Sequence, residues 1–213
     1  MTQVTVNLLL ASGKGHNLSY LLQGREVDIS HKTDKFKSGE YPFYWPGNVS
    51  IFGGHIDDGE TPQQAFKREI KEELKLYLSD EYVSRMDLRT YRWKEDTDRI
   101  LTEANEVFQG NVNGFLGFGL DEKIPSCVLG KDRTKYVFVT YRDWIFDRSE
   151  DHYFAANIGE STPLTDYEGF GAIWPPHWVA RSVCMVPIDK IALLDDMTKR
   201  VKTGELEIKV IKK

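Results

Sequence analysis

The stretch Gly53–Leu74, GGHIDDGETPQQAFKREIKEEL, decides how this chain is read. Its glutamates Glu69, Glu72 and Glu73 crowd into five consecutive positions, directly downstream of a glycine pair and the acidic loop that carries Glu60. Thr61 is a good N-cap, Pro62 suits the first helical position, and Gln64 completes a T-x-x-Q capping box. The spacing therefore predicts a helix from about Pro62 to Leu76 or slightly beyond. At 100° per residue, Phe66, Ile70, Leu74 and Tyr77 share one apolar stripe. Glu69, Glu72 and Glu73 stand beside that stripe at i, i+3 and i+4, so their carboxylates converge. Converging carboxylates repel unless a cation lies between them. Mg²⁺ takes hard oxygen ligands and keeps several waters, so such a cluster with room for phosphate is a natural site for it. A solvated face of Lys/Glu pairs is the plainer reading of KREIKEELK, but it requires neither Gly53-Gly54 nor Glu60.

The same residues resemble the Nudix box, G-x5-E-x7-R-E-U-x-E-E-x-G-U, where U is bulky and aliphatic. Gly54, Glu60, Arg68, Glu69, Ile70, Glu72, Glu73 and Leu76 match in register. Lys75 stands where the family has glycine, and the helix is expected to run on through it into LYLSDEY. On that expectation Lys75→Gly costs about 1 kcal/mol at most, with little loss of rate. The resemblance implies an α/β fold, an α/β/α sandwich with a mixed sheet. It also implies hydrolysis of a nucleoside diphosphate linked to another moiety. It assigns Gly54, Glu69, Glu72 and Glu73 to a divalent metal, Mg²⁺ or Mn²⁺, with the glutamates also activating water. Arg68 would orient the carboxylates, and Glu60 would brace the loop or join the metal shell. Family members often place one more glutamate on a late loop, as ligand or general base. Glu168 in DYEGFGAIW is the candidate, with Glu150 and Glu160 as rivals. Members favouring ADP-ribose tend to carry a proline downstream of the box. None occurs between Pro62 and Pro125, which ranks that substrate lower. Tyr91 and Trp93 fall where some dinucleoside polyphosphate enzymes have a tyrosine, but read better as strand aromatics.

Around this centre the chain allows one domain over residues 1–213, with an insertion at about 95–135. Of its 213 residues 40% are apolar and 12% aromatic, enough for a sizeable core. The net charge of −5 disfavours a nucleic-acid polymer as partner. A small anionic substrate would need a local cation. Cys127 and Cys184 are too few and too far apart for a disulfide framework or zinc motif, and read as reduced thiols of a cytoplasmic protein. The start shows neither a signal peptide nor a membrane span, so no membrane partner is expected. A homodimer is allowed for.

VTVNLLLASGKGHNLSYLLQGR reads as a hairpin and VSIF as a short strand. TDRILTEANEVF and PIDKIALLDDMTKRVKTG read as helices, and GNVNGFLGFGLDEKIP as a loop. KYVFVTYRDWIF, HYFAANI and the tail ELEIKVI read as strands. Trp174 and Trp178 in IWPPHW are candidates for stacking a nucleobase, against a rigid aromatic turn as the plainer reading. His55 is read as scaffold beside Gly54, and His177 as packing. Two alternatives come from other classes: a non-catalytic nucleotide-binding regulatory domain, and an isopentenyl-diphosphate isomerase-like enzyme with a catalytic cysteine.

Overall fold

In the run TVNLLLAS the residues Leu8–Ala11 are continuously apolar, and a strand of that kind is buried on both faces. In the computed structural model it is the strand at the centre. The structure describes residues 4–25, 45, 47–127, 136–148, 150–159 and 172–208. In chain order the strands are β1 (Thr5–Ser12), β2 (Ser19–Tyr20), β3 (Leu22–Gly24), β4 (Val49–Ser50), β5 (Phe52–His55), β6 (Asp87–Tyr91), β7 (Lys123–Cys127), β8 (Tyr136–Thr140), β9 (Asp151–Asn157) and β10 (Ala172–Ile173). The helices are α1 (Pro62–Leu74), α2 (Asp80–Ser84), α3 (Trp93–Val107), α4 (Val112–Leu116), α5 (Tyr141–Phe146), α6 (His177–Ala180) and α7 (Pro187–Lys202).

β1 runs parallel to β9 on one side. On its other side it pairs antiparallel with β5 along its first half and with β2 at its end. β6 closes the far edge, antiparallel to β9. The sheet is therefore mixed, with helices on both faces. Val6, Leu8 and Leu10 of β1, with Phe52 and Phe154, pack against Ala65, Phe66, Ile70 and Leu74 of α1. The Phe66 and Phe154 rings stack at 4.1 Å. Phe66 is completely buried, which contributes about 2–3 kcal/mol relative to exposure. The opposite face carries Leu9, Ala11, Tyr153 and Ala155. These meet α7 through Ile191, Leu194 and Met197, and α3 through Ile100 and Ala104.

α7 also buries charge. Tyr20, Arg89 and Arg200 all donate to Asp196, at 2.7, 2.7 and 2.6 Å. Tyr91 donates to Asp195 at 2.6 Å and Tyr153 to Asp189 at 2.9 Å. Buried carboxylates are tolerable only when partnered in this way. The tyrosines gain from it too, since burial pushes their hydroxyl pKa values up and keeps them neutral donors.

Several expectations are corrected. The Nudix-type helix stops at Leu74, and Lys75 caps it in a left-handed conformation at φ 55°, ψ 22°. The apolar stripe therefore ends too, and Tyr77 is 81% exposed. The first hairpin is only half a hairpin. Its return arm splits into β2, on β1, and β3, which joins β4 and β10 in a separate small sheet. KYVFVTYRDWIF breaks at Thr140, whose hydroxyl accepts from the Asp143 amide at 3.0 Å and starts α5. The supposed loop at 110–125 holds α4 and the start of β7. In the 95–135 segment, α3 is part of the main core through Ile100 and Ala104. Glu205–Ile208 form no strand; the rest of that tail lies outside the described residues. No helix among the described residues is long and apolar enough to cross a membrane.

Candidate active site

The site begins at the outer edge of β5. Gly53 pairs with Asn7 and Gly54 with Val6; a side chain at Gly53 would meet backbone, and one at Gly54 would displace Glu69. A Cβ on Gly53, at φ 150°, would lie 2.1 Å from the Val6 carbonyl oxygen. A Cβ on Gly54 would lie 2.3 Å from the Glu69 carboxyl group. Bare backbone thus faces a carboxylate, with room for nothing larger than hydrogen between them.

α1 is set opposite this edge by its N-terminus. The Gln64 amide donates to Thr61 Oγ1 at 3.3 Å, and the Thr61 amide donates to Gln64 Oε1 at 2.9 Å, so the capping box is complete. One turn on, Arg68 fixes the acidic loop. Its Nε and Nη2 donate to the two oxygens of Glu60 at 3.0 and 2.8 Å. Nη1 donates to Glu69 at 2.6 Å, and Nη2 also reaches the His55 carbonyl at 2.8 Å. Glu60 accepts the Asp57 amide as well, at 3.2 Å. These bonds, Arg68's foremost, hold the Glu60 carboxyl below its ordinary pKa. Glu60 thus braces the loop.

Glu73 turns toward the glycines and accepts the Gly53 amide at 2.9 Å. Burial pushes its pKa up to about 7, and the nearby charge of Glu69 adds to the rise. The Gly53 N–H opposes it, as do Gln23 and Arg25. Glu69 is nearly buried and Glu72 mostly exposed, with Glu72 3.8 Å from Arg68. No three acidic, histidine or cysteine side chains among the described residues are already gathered tightly enough to hold a metal ion. The donor chemistry nevertheless suits one. The Gly54 backbone, the Glu69 carboxylate against it and Glu73 are hard oxygen donors around one short strand edge.

A cleft of about 380 Å³ opens from this edge. Its lining includes Gly53, Gly54, His55 and Glu73, together with Arg25, Trp45, Trp144, Arg148 and Asp189. The two tryptophans meet edge to face at 5.2 Å. Ser50 also lines the cleft, with a buried hydroxyl that makes no hydrogen bond. Burial pushes the Asp189 carboxyl up to about 6, against the donors Ile51 N–H and Tyr153 OH.

Of the residues singled out from sequence, Gly54, Arg68, Glu69, Glu72 and Glu73 come together here. Glu168 and Glu160 lie outside the described residues. Glu150 pairs with Arg92 at 3.4 Å and lines a different cavity. Trp174 packs at the margin of the α1 core. Trp178 is half exposed, edge-on to His177. Neither of the two lines the cleft. His177 is buried. Tyr91 ends β6, while Trp93 opens α3 and donates to Asp151 at 2.7 Å. Cys184 is an exposed thiol. Trp45 fell in a segment legible only as breakers, and no sequence signal marked Arg25, Trp144, Arg148 or Asp189.

A mixed sheet whose glycine edge faces an Arg-braced, glutamate-rich helix carries the box residues Gly54, Arg68, Glu69, Glu72 and Glu73 on one strand edge and one helix. The chain belongs to the Nudix family, and the NUDIX domain model matches residues 1–116. It is accordingly a pyrophosphohydrolase, in a family that generally uses divalent metals. A mutT/nudix family protein from Listeria innocua shares the fold at 14% identity and TM-score 0.50, with 94% of this chain and 95% of that one covered. The Ap4A hydrolase of C. elegans is similar at 15% identity and TM-score 0.42, over 94% of this chain and 99% of that one. A bifunctional NMN adenylyltransferase/ADP ribose pyrophosphatase from Francisella tularensis is similar at 12% identity and TM-score 0.45. That match covers 96% of this chain and 42% of the other. No curated protein sequence matches the chain.

Proposed function

We propose that this protein hydrolyses the pyrophosphate linkage of a nucleoside diphosphate joined to another moiety, with Mg²⁺ as its metal. The observation that carries this reading is the Glu69 carboxylate held by Arg68 against the bare backbone of Gly54. Glu69, Glu72, Glu73 and the Gly54 backbone would hold the ion. When bound, it would screen the phosphate oxygens and supply a water of lowered pKa. The protein's own groups do the rest. Arg68 fixes the orientation of Glu69 through a fork of donors that lysine could not reproduce. Gly53 and Gly54 let phosphate approach the main chain closely. Glu73 would approach the ion from the Gly53 side, where the Gly53 amide holds it. The cleft admits the substrate beside Trp45 and Trp144, whose aromatic faces suit a nucleobase.

Among the alternatives, a regulatory domain would need none of the box glutamates, yet all are present. An isomerase would need a cysteine in the cleft, and the exposed thiol Cys184 does not line it. The test is phosphate release across nucleoside triphosphates, dinucleoside polyphosphates and nucleotide sugars. EDTA is expected to abolish turnover and Mg²⁺ to restore it. Full activity in chelator would remove the metal reading, and isomerisation without phosphate release would remove the hydrolytic one.

A further inference from the structure

Arg148 lies between α5 and β9 in the chain and lines the same cleft as Glu73. Its Nε and Nη2 donate to the two oxygens of Asp151 at 2.8 and 2.7 Å, and Nη2 reaches Thr5 Oγ1 at 3.2 Å. Asp151 is completely buried. It also accepts the Thr5 amide at 3.0 Å, the Thr5 hydroxyl at 2.6 Å and the Trp93 indole at 2.7 Å. So many donors on one carboxylate fix it, and a bidentate fork fixes the guanidinium in turn. Among the described residues Nη1 has no hydrogen-bond partner, on a side chain that is 21% exposed and lines the cleft.

The register places this group relative to the glycines. Thr5 is the direct partner of His55 across β1 and β5, and Gly54 is the next residue. With strands spaced about 4.8 Å apart, the fork lies roughly 10 Å from Gly54. A short run of linked phosphates spans that distance. Arg148 also lines a second cavity of about 640 Å³ on its far side. The wall of that cavity mixes Arg92 and Lys94 with Glu95, Asp147 and Glu150. It offers room beyond the guanidinium rather than a surplus of positive charge. A purely structural arginine would satisfy Asp151 equally well, but would not need an unengaged edge at the junction of two cavities.

We propose that Arg148 is a specificity residue that binds a phosphate of the substrate lying beyond the scissile linkage. The enzyme then prefers substrates whose phosphate chain continues past that linkage over nucleoside diphosphates capped by a neutral sugar. This rests on the reading of Glu69, Glu72 and Glu73 as the hydrolytic centre. Arg148 is anchored by its own carboxylate, so it keeps its orientation in the free enzyme and loses little freedom on binding.

The test compares kcat/KM for ATP and diadenosine tetraphosphate with that for UDP-glucose, in wild type and in Arg148→Lys. Lysine keeps a charge beside Asp151 but has no second arm. The variant is expected to lose about tenfold or more on the phosphate-extended substrates, mostly through KM, and to stay within about twofold on UDP-glucose. Equal losses on all three, or no loss on any, in a variant that melts like wild type would overturn the proposal. Should the variant not fold, titration calorimetry on wild type with inorganic tripolyphosphate and pyrophosphate decides. Tripolyphosphate is expected to bind about tenfold tighter, and equal affinities would overturn the proposal. Glu73→Gln separates the two readings. If it keeps wild-type turnover, the hydrolytic centre is misplaced; if turnover falls while the Arg148→Lys selectivity is unchanged, only the role of Arg148 fails.

Discussion

Replacing Lys75 by glycine tests the end of α1, because the two readings of this residue predict opposite signs. If the helix ran through Lys75, glycine in its interior would cost about 1 kcal/mol. The structure instead puts Lys75 at φ 55°, ψ 22°, as the helix cap. A residue with a Cβ carries a penalty of roughly 1–2 kcal/mol in that region, which glycine removes. Against this, glycine costs about 0.5–1 kcal/mol in extra unfolded-chain entropy. The bond from Lys75 Nζ to the Glu72 carbonyl, 3.0 Å and exposed, is also lost, at a cost of a few tenths of a kcal/mol. The balance is a stabilisation of about 0.5 kcal/mol. In a chain of this length that raises Tm by roughly 1–2 °C.

Urea unfolding of both proteins, with the slopes compared, measures the difference, and turnover on the best substrate is measured alongside. Lys75→Asn should fall between the two, since asparagine tolerates the left-handed region better than lysine does. Lys75→Val should be the least stable, because a branched Cβ is worst there. A loss of about 0.5 kcal/mol or more for the glycine variant, roughly half the interior penalty, would show that the helix continues and that the cap geometry is wrong. Unchanged stability with a large fall in turnover would instead place the lysine on the substrate.

Glu73→Gln should lower turnover by roughly 10²-fold or more without lowering Tm, because it removes a charge that is repelled by Glu69 and half desolvated; wild-type turnover with wild-type Mg²⁺ dependence would refute the assignment. Gly54→Ala should displace the Glu69 carboxyl, which a Cβ would meet at 2.3 Å, and cost about 10²-fold in rate; an alanine variant of normal activity would show that Glu69 need not sit there. His177 should make the fold acid-sensitive. Burial depresses its pKa from 6.5 to about 4, with Arg181 and His16 adding to the effect. The folded state therefore disfavours the charged form, and this contribution is present above pH 6.5 and lost as pH falls toward 4. Between pH 7.5 and 5 it amounts to about 2 kcal/mol. Urea unfolding of His177→Phe should show a shallower loss over that window, and an identical pH profile would contradict the reading.

What could be read from sequence was what local rules control. Thr61, Pro62 and Gln64 specify a helix start within four residues, and the structure has the box they predict. β1 and α7 were legible because their apolar runs are long. Lys75 was not, because left-handed caps are marked by glycine and a lysine there gives no sign. The turn at Thr140 was hidden for a different reason: apolar and aromatic residues continue across it, so period alone cannot separate β8 from α5. The cleft was least legible of all. Trp45, Trp144, Arg148 and Asp189 come from separate elements that meet only because α7 and β9 pack as they do.

That assembly resolves the charge problem posed by an acidic chain acting on an anion. Arg68 divides its donors between Glu60 and Glu69 and so stiffens the acidic loop without neutralising Glu73. Glu73 is opposed by the Gly53 amide, Gln23 and the charge of Arg25, yet burial and the charge of Glu69 still raise its pKa. Two carboxylates that repel in this way are the condition under which a divalent cation is drawn in. At Arg148 the situation is reversed. The carboxylate that anchors Arg148 is fully buried, so an incoming ligand meets the guanidinium edge and not its counter-ion. On the proposed reading, a linear phosphate chain in this cleft would be oriented by that difference, with its scissile linkage at the glutamates and the phosphate beyond it at the fixed arginine.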